Sequence, residues 1–485
     1  MKYLKFSFYI CTFFVTILSA QTKEISLEDI WSGAFRTESM DVLHSMANGK
    51  QYSVLNFNRS TRSTSIDIYN YKTLEKVETL VDSKNINELS YFTDYTFSKD
   101  ESKVVLATNE ESIYRNSVHG NYYVFDINTK SITAVSEEKI QEPTFSPDAT
   151  KVAFVKANNL YIKDLISGET TQVTFDGKKN EIINGITDWV YEEEFAFVRA
   201  FEWNTNSNKI AFIRFDETNV PEFSMDVYGE GLYQTQQVFK YPKAGEPNSI
   251  VSLHIYNIET KSIQEVKVEK AYNDFYIPRI KWTNNSDILS AQYLNRKQNV
   301  LDLWFVNAKT NSSNLGLTET DKAYIDVTDD LTFLKDNSFI WTSEKDGYNH
   351  IYHYDKKGKL INQVTKGNWE VTSYYGYDEK TNRIFYQSVE NGSINRDVYA
   401  IKLNGRNKTR LTKGEGTNDA SFSTDFSYFI NTFSNAATPT AYTLNSAKSG
   451  NLIKSIKDNE VLAQKLLDYK ISKKEFSAIH VNGND

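Results

Sequence analysis

The chain has 485 residues, 40% of them hydrophobic, with 31 Tyr and 29 Phe but only 7 Pro, which excludes a disordered or Pro-rich chain and supplies a large core. A net charge of −8 and the lack of any Lys/Arg run argue against a nucleic-acid partner. A single cysteine, Cys11, excludes a disulfide framework and a cysteine metal site.

At the N-terminus, Lys2 and Lys5 precede an apolar run from Phe6 to Leu18, and Ser19-Ala20 offers a cleavage point before Gln21. This is the pattern of an export signal over residues 1–20, so the mature chain is expected to be secreted or periplasmic and to lose Cys11. No other stretch has the apolar length of a membrane span. In the next segment, 21–45, Ser26 stands three residues before Asp29, which predicts a short helix with a capping box.

From about residue 46 the chain repeats. One signature is an aromatic or apolar residue, a polar turn and a β run: Phe97-Ser98-Lys99-Asp100 before Val104 to Ala107, Phe145-Ser146-Pro147-Asp148 before Val152 to Val155, Trp203 before Ile210 to Ile213. Trp282, Phe333, Tyr377 and Phe422 lead further copies, and Met46 leads the weakest. A second signature, an alternating strand followed by a polar turn, comes after each first one, as in Ile66 to Tyr69, Leu160 to Lys163 and Val398 to Ile401. Each signature occurs eight times. Two hairpins per repeat make a four-stranded blade, and radial repetition removes the open sheet edge. The predicted fold is all-β, an eight-bladed β-propeller over about 46–470.

Three stretches break the period: 108–121 in the second repeat, about 176–202, and about 216–249 in the fourth repeat. Insertions in repeats map to loops and build binding faces, so function is expected there. After residue 450 the pattern decays. Asp458 to Asp468 reads as an amphipathic helix with Val461, Leu462, Leu466 and Leu467 on one side, and 471–485 reads as the start of a new element, with a β-like run from Phe476 to Val481.

No Gly-x-Ser-x-Gly elbow occurs, and the six histidines (44, 119, 254, 350, 353, 480) have no catalytic context. His350 and His353 are three apart in a strand and face opposite sides, so no metal is expected. No motif calls for a cofactor. The second insertion holds Asp188-Trp189-Val190-Tyr191-Glu192-Glu193-Glu194. An acidic run is ordinarily a solvated helix face. Its place in a break of the repeat marks it as a site instead. On a helix the three carboxylates fan out by about 100° each, so at most two reach one point. Two crowded carboxylates repel unless a cation lies between them, and a ligand ammonium is such a cation. Arg115, in the first insertion, suits a ligand carbonyl or carboxylate.

The string Asn184 to Glu194 (NGITDWVYEEE) resembles the glutamate motif of the dipeptidyl peptidase IV family. Further segments agree in order: Arg115, Ala211 to Glu222 (AFIRFDETNVPE), Tyr241 to Gly245, Ser343 to Tyr352 (SEKDGYNHIY) and Thr365 to Val371. The resemblance covers essentially all of 25–485. It implies an eight-bladed propeller followed by an α/β-hydrolase domain, and a serine peptidase that releases dipeptides from peptide N-termini after proline or alanine. By motif position, Glu193 and Glu194 would bind the substrate α-ammonium and Arg115 its carbonyl side. Glu192 and Tyr191 are further candidates beside them. The loop about 216–249 would take part in a homodimer. Phe333 lies near, but not at, the position of the family's aromatic beside the substrate's second residue. The family's nucleophilic serine, acid and histidine belong to the hydrolase domain, which is absent from this chain, so the chain is expected to be catalytically incomplete. Residues 21–45 would pack on that domain. A different class, a periplasmic propeller that serves as a protein-interaction scaffold, shares the repeats but has no use for the glutamates or Arg115.

Overall fold

The structure, a computed structural model, describes residues 22–481; the export signal expected over 1–20 lies outside them. Among the described residues no helix is long and apolar enough to cross a membrane.

Eight antiparallel blades follow one another around a ring, seven built from four consecutive strands and the fourth interrupted by a separate two-stranded arm. The first runs from Leu43–Ser45 to Lys76–Asp82 and the eighth from Thr417–Phe422 to Leu452–Lys457. The eight β runs of the first signature and the eight of the second are the two central strands of the blades, paired in register as in Val105↔Val124 and Ile430↔Leu444. They are buried on both faces, which explains their near-continuous apolar character.

The polar turn of the repeat is a hydrogen-bonded device. Ser98, Ser146 and Ser423 are all buried, and each hydroxyl donates to the Asp two residues on, at 2.7, 2.6 and 2.9 Å. The same hydroxyls accept the backbone N–H that opens the next strand, from Lys103, Lys151 and Tyr428. Asn204 takes this role in the fourth blade, accepting the N–H groups of Asn208 and Lys209. The turn thus satisfies its own backbone, the requirement for burying it between blades.

No strand is shared between the first and last blades, so side chains close the ring. Tyr71 stacks on Tyr428, and Tyr52, Val54, Ile430 and Leu444 share one core with it. Thr424 N–H donates to Ser45 Oγ across the same seam at 2.8 Å.

The N-terminal segment forms helix α1 (Leu27–Trp31) with the capping box expected at Ser26 and Asp29. It leans on the C-terminal segment: Phe35 meets Tyr469 edge-on at 5.0 Å, and Lys465 Nζ donates to Ala34 O. The second helix, α2 (Trp189–Glu194), belongs to the site below. The third, α3 (Glu460–Leu466), is shorter than the sequence pattern suggests and is turned differently. Leu462 is buried, but Val461 and Leu467 are 87% and 71% exposed. Asn459 sets this rotation. It begins the helix in a left-handed conformation (φ +54) and donates to the carbonyls of Glu38 and Thr440. Anchoring at the helix start outweighs an apolar stripe only two turns long.

Candidate functional site

The fourth blade lacks a continuous first strand. Ile182–Asn184 and Phe201–Trp203 both pair with Lys209–Asp216, and the chain leaves the sheet between them. It departs at Gly185, whose φ of +80 favours glycine, and returns at Ala200. Ala200 N–H donates to Gly185 O at 2.9 Å, and Gly185 N–H and Ala200 O both bond Ile213. The excursion is therefore closed at its base. A stem follows, with Thr187 N–H on Val198 O at 3.0 Å, and α2 sits at its tip.

Asp188 caps α2 by accepting Tyr191 N–H at 3.0 Å. It is buried, and that burial pushes its carboxyl pKa upward. Its other oxygen accepts from Ser249 Oγ at 2.5 Å, at the end of the third insertion. Tyr191 is also buried. Its ring packs edge-on with Phe195, Phe215 and Tyr276, and its hydroxyl accepts Ile277 N–H at 2.9 Å. Tyr191 thus fastens the insertion to the fifth blade and presents no surface to a ligand.

The three glutamates separate as helical geometry requires. Glu192 points inward and is 1% exposed. One of its oxygens accepts the backbone N–H of Asn116 at 2.6 Å and of Ser117 at 2.9 Å. At the last turn, where α2 stops at Phe195, Glu194 is exposed and Glu193 is partly exposed. Arg115 Nε lies 3.0 Å from Glu193 Oε2; the guanidinium side chain is 75% exposed and the Glu193 side chain 18%.

Arg115 stands on the tip of a long hairpin. Lys103–Ser112 and Val118–Asp126 extend the second blade as far as the pair Ser112↔Val118. The tip is closed by Ile113 N–H on Ser117 O and Tyr114 N–H on Ser117 Oγ. Tyr114 meets Phe239 at 5.7 Å. Burial, with the nearby carboxylates of Glu217, Asp188 and Glu192, pushes the Tyr114 phenol up to about 12. Phe239 belongs to the third insertion, a separate two-stranded arm, Glu222–Val227 with Thr235–Lys240. Trp189 of α2 packs on Tyr241 at the base of this arm, ring centroids 4.1 Å apart. Glu217, also at its base, is pushed up to about 7 by burial and by Asp188. All three breaks in the repeat therefore meet at one place, beside the carboxylates of Glu193 and Glu194 and the exposed guanidinium of Arg115.

Phe333 is not part of this place. It packs with Phe305 and Phe339 between the fifth and sixth blades. The aromatic near the carboxylates is Tyr324, 51% exposed. Its phenol pKa is raised by burial first, then by the charges of Asp326 and Glu194. Tyr324 lines a cavity of about 530 Å³ together with Asp326, Glu344 and Glu370. The signal for it in the sequence is the long acidic connection after Thr320, which breaks the inter-blade spacing less visibly than the other three.

His350 and His254 are packed into the blades. His350 is fully buried between Thr365 Oγ1 and Gly367 O, and His254 stacks on Phe212 beside Ser252. Burial lowers the pKa of His254 and His353. Among the described residues no group of three or more His, Cys, Asp or Glu is placed to hold a metal.

Comparison with known proteins bears on this arrangement. The family model for the "Dipeptidyl peptidase IV (DPP IV) N-terminal region" matches residues 98–440. A probable dipeptidyl-aminopeptidase B of Pyrenophora teres f. teres is 28% identical over 467 residues, covering 86% of this chain and 51% of its own length. A probable dipeptidyl peptidase 4 of Arthroderma benhamiae is 30% identical over 405 residues, covering 80% and 52%. The chain thus spans about half the length of the curated relatives it matches. The crystal structure of Porphyromonas gingivalis dipeptidyl peptidase 4 superposes with a TM-score of 0.88 at 40% identity, over 95% of this chain and 66% of that one.

Proposed function

This chain belongs to the dipeptidyl peptidase IV family, through that family's N-terminal region, and from this premise we propose that it is the substrate-selecting propeller of an exported serine dipeptidyl peptidase. Glu193 and Glu194 bind the α-ammonium of a peptide, and Arg115 binds the carbonyl side of its first residues. Anchoring the free amine measures off two residues before the bond to be cut, so the product is a dipeptide, and the X-Pro or X-Ala preference is the one the family resemblance implies. The hydrolytic step is assigned to the hydrolase portion of the relatives, which this chain does not span. The arm at 222–240, with Tyr228, Leu232 and Tyr233 exposed, is the proposed homodimer contact.

One observation carries this reading: at the end of α2 Glu194 is exposed and Glu193 is partly exposed and opposite Arg115, while their neighbour Glu192 is buried. An ordinary solvated acidic face would not divide its carboxylates in this way. Arg115 is the ready counter-ion in the absence of ligand. An exposed pair of this kind is worth at most about 1 kcal/mol, so an incoming ammonium displaces it easily. The interaction-scaffold reading gives neither the carboxylates nor Arg115 a task.

The test is a titration of the chain with a Gly-Pro-Gly peptide carrying either a free or an acetylated amine. Acetylation removes the charge and two of the donors, so affinity is expected to fall at least about tenfold, the effect of one charge-assisted hydrogen bond. Equal affinities would sink the ammonium reading.

A further inference from the structure

We infer that Glu192 is a positioning residue: through the backbone of Asn116 and Ser117 it holds Arg115 opposite Glu193, and so sets the distance between the ammonium anchor and the contact to the peptide carbonyl. This inference rests on the proposed ammonium site.

The tip of the hairpin satisfies only part of its own backbone. Ser117 takes the N–H groups of Ile113 and Tyr114, whereas the N–H groups of Asn116 and Ser117 turn to Glu192. Those two donors belong to the residues directly after Arg115. The acceptor is an ionisable carboxyl that the fold seals from water. A sealed carboxylate is costly without partners, and two N–H groups on one oxygen supply them. The same link joins insertions of two different blades, 76 residues apart in the chain.

The result is a bonded base under an exposed side chain. The Arg115 backbone is fixed through its two neighbours, while its side chain remains largely in solvent. Glu193 is one peptide bond from Glu192. One short covalent link therefore relates the anchor to the clamp, and the clamp relates it to Arg115. Asp188 and Tyr191 hold the helix from its other sides, through Ser249 and Ile277. Glu192 is the side chain of α2 that bonds the hairpin backbone, whereas Glu193 meets only the Arg115 side chain. Positioning of this kind is what converts two binding groups into a measuring device.

The experiment is a double-mutant cycle on the whole chain, with Glu192→Ala, Arg115→Ala and both together. Affinity for Gly-Pro-Gly and amide hydrogen exchange at Asn116 and Ser117 are read for each. Glu192→Ala is expected to weaken the peptide about tenfold in the Arg115 background and less than about twofold once Arg115 is gone, because groups that act as a unit are not additive. Exchange at the two amides should rise at least about tenfold in both backgrounds, as the opening is local. Glu192→Gln keeps one acceptor oxygen and should fall between, and it reads the same quantities if the alanine variant does not fold. An equal loss with and without Arg115, or unchanged exchange, overturns the inference. A wild-type chain indifferent to acetylation of the peptide would remove the substrate role of Glu192 along with the ammonium site, while faster exchange would still report the clamp.

Discussion

Replacing Glu193 or Glu194 with alanine is expected to lower kcat/KM for a Gly-Pro reporter about 10- to 150-fold per carboxylate, in the form of the protein that carries the hydrolase portion, since a charge-assisted hydrogen bond is worth about 1.5–3 kcal/mol. The loss should be specific to substrate. Glu194 is exposed at the end of α2, and the partly exposed Glu193 is tied to the hairpin through the Arg115 side chain. Glu193 loses only an exposed pair with Arg115, so folding stability should move by no more than about 1 kcal/mol. Retention of near-wild-type kcat/KM by either variant would refute the assignment of that carboxylate. A matching loss of stability would show instead that it holds the insertion together.

The second large effect lies one residue before the glutamates. Tyr191→Ala is expected to destabilise the chain by about 3–5 kcal/mol, the range for emptying a buried aromatic site. Tyr191 is fully buried among Phe195, Phe215 and Tyr276, so its removal leaves a cavity between the insertion and the fifth blade. Tyr191→Phe keeps the packing but strands the Ile277 N–H, and about 1–3 kcal/mol should be lost. Denaturant unfolding of the two variants separates packing from hydrogen bonding. A Tyr191→Ala chain as stable as the wild type would contradict the anchoring role and return Tyr191 to the ligand-facing candidates.

The propeller was legible because its repeat is physical. The Ser-x-Asp turns at Ser98, Ser146 and Ser423, and the Asn204 turn that replaces one, close on their own backbone, so turn residues recur at fixed offsets in these blades. The interruptions were legible for the same reason: residues 185–200 are an outgrowth of one strand, and the strand resumes in register at Phe201. Periodicity does not specify where an outgrowth points. That α2 turns Glu192 inward follows from contacts to Asn116 and Ser117 in another blade, which local sequence cannot announce. The same holds for Tyr191 and Ile277, 86 residues apart, and so Tyr191 read as a neighbour of the site when it is part of its foundation.

Two other features were hidden by tertiary context. Tyr324 lies in a polar connection whose length is its one faint sequence signal, and its proximity to Glu194 is what marks it. The apolar pattern of 458–468 suggested a buried face for Val461 and Leu467, but the bonds of Asn459 to Glu38 and Thr440 turn both outward. In each case a few long-range hydrogen bonds or charges overrule a local pattern, and they do so at the edges of the propeller where repeats give no constraint.

The most direct measurement is a crystal structure of the chain with a bound Xaa-Pro-Xaa peptide. The account predicts the α-ammonium within about 3 Å of carboxylate oxygens of both Glu193 and Glu194, the distance of a charge-assisted hydrogen bond, with Arg115 on the peptide carbonyl side and Glu192 still bonded to Asn116 and Ser117. A peptide bound elsewhere, or one whose ammonium lies in solvent with the Arg115–Glu193 pair intact, would contradict it.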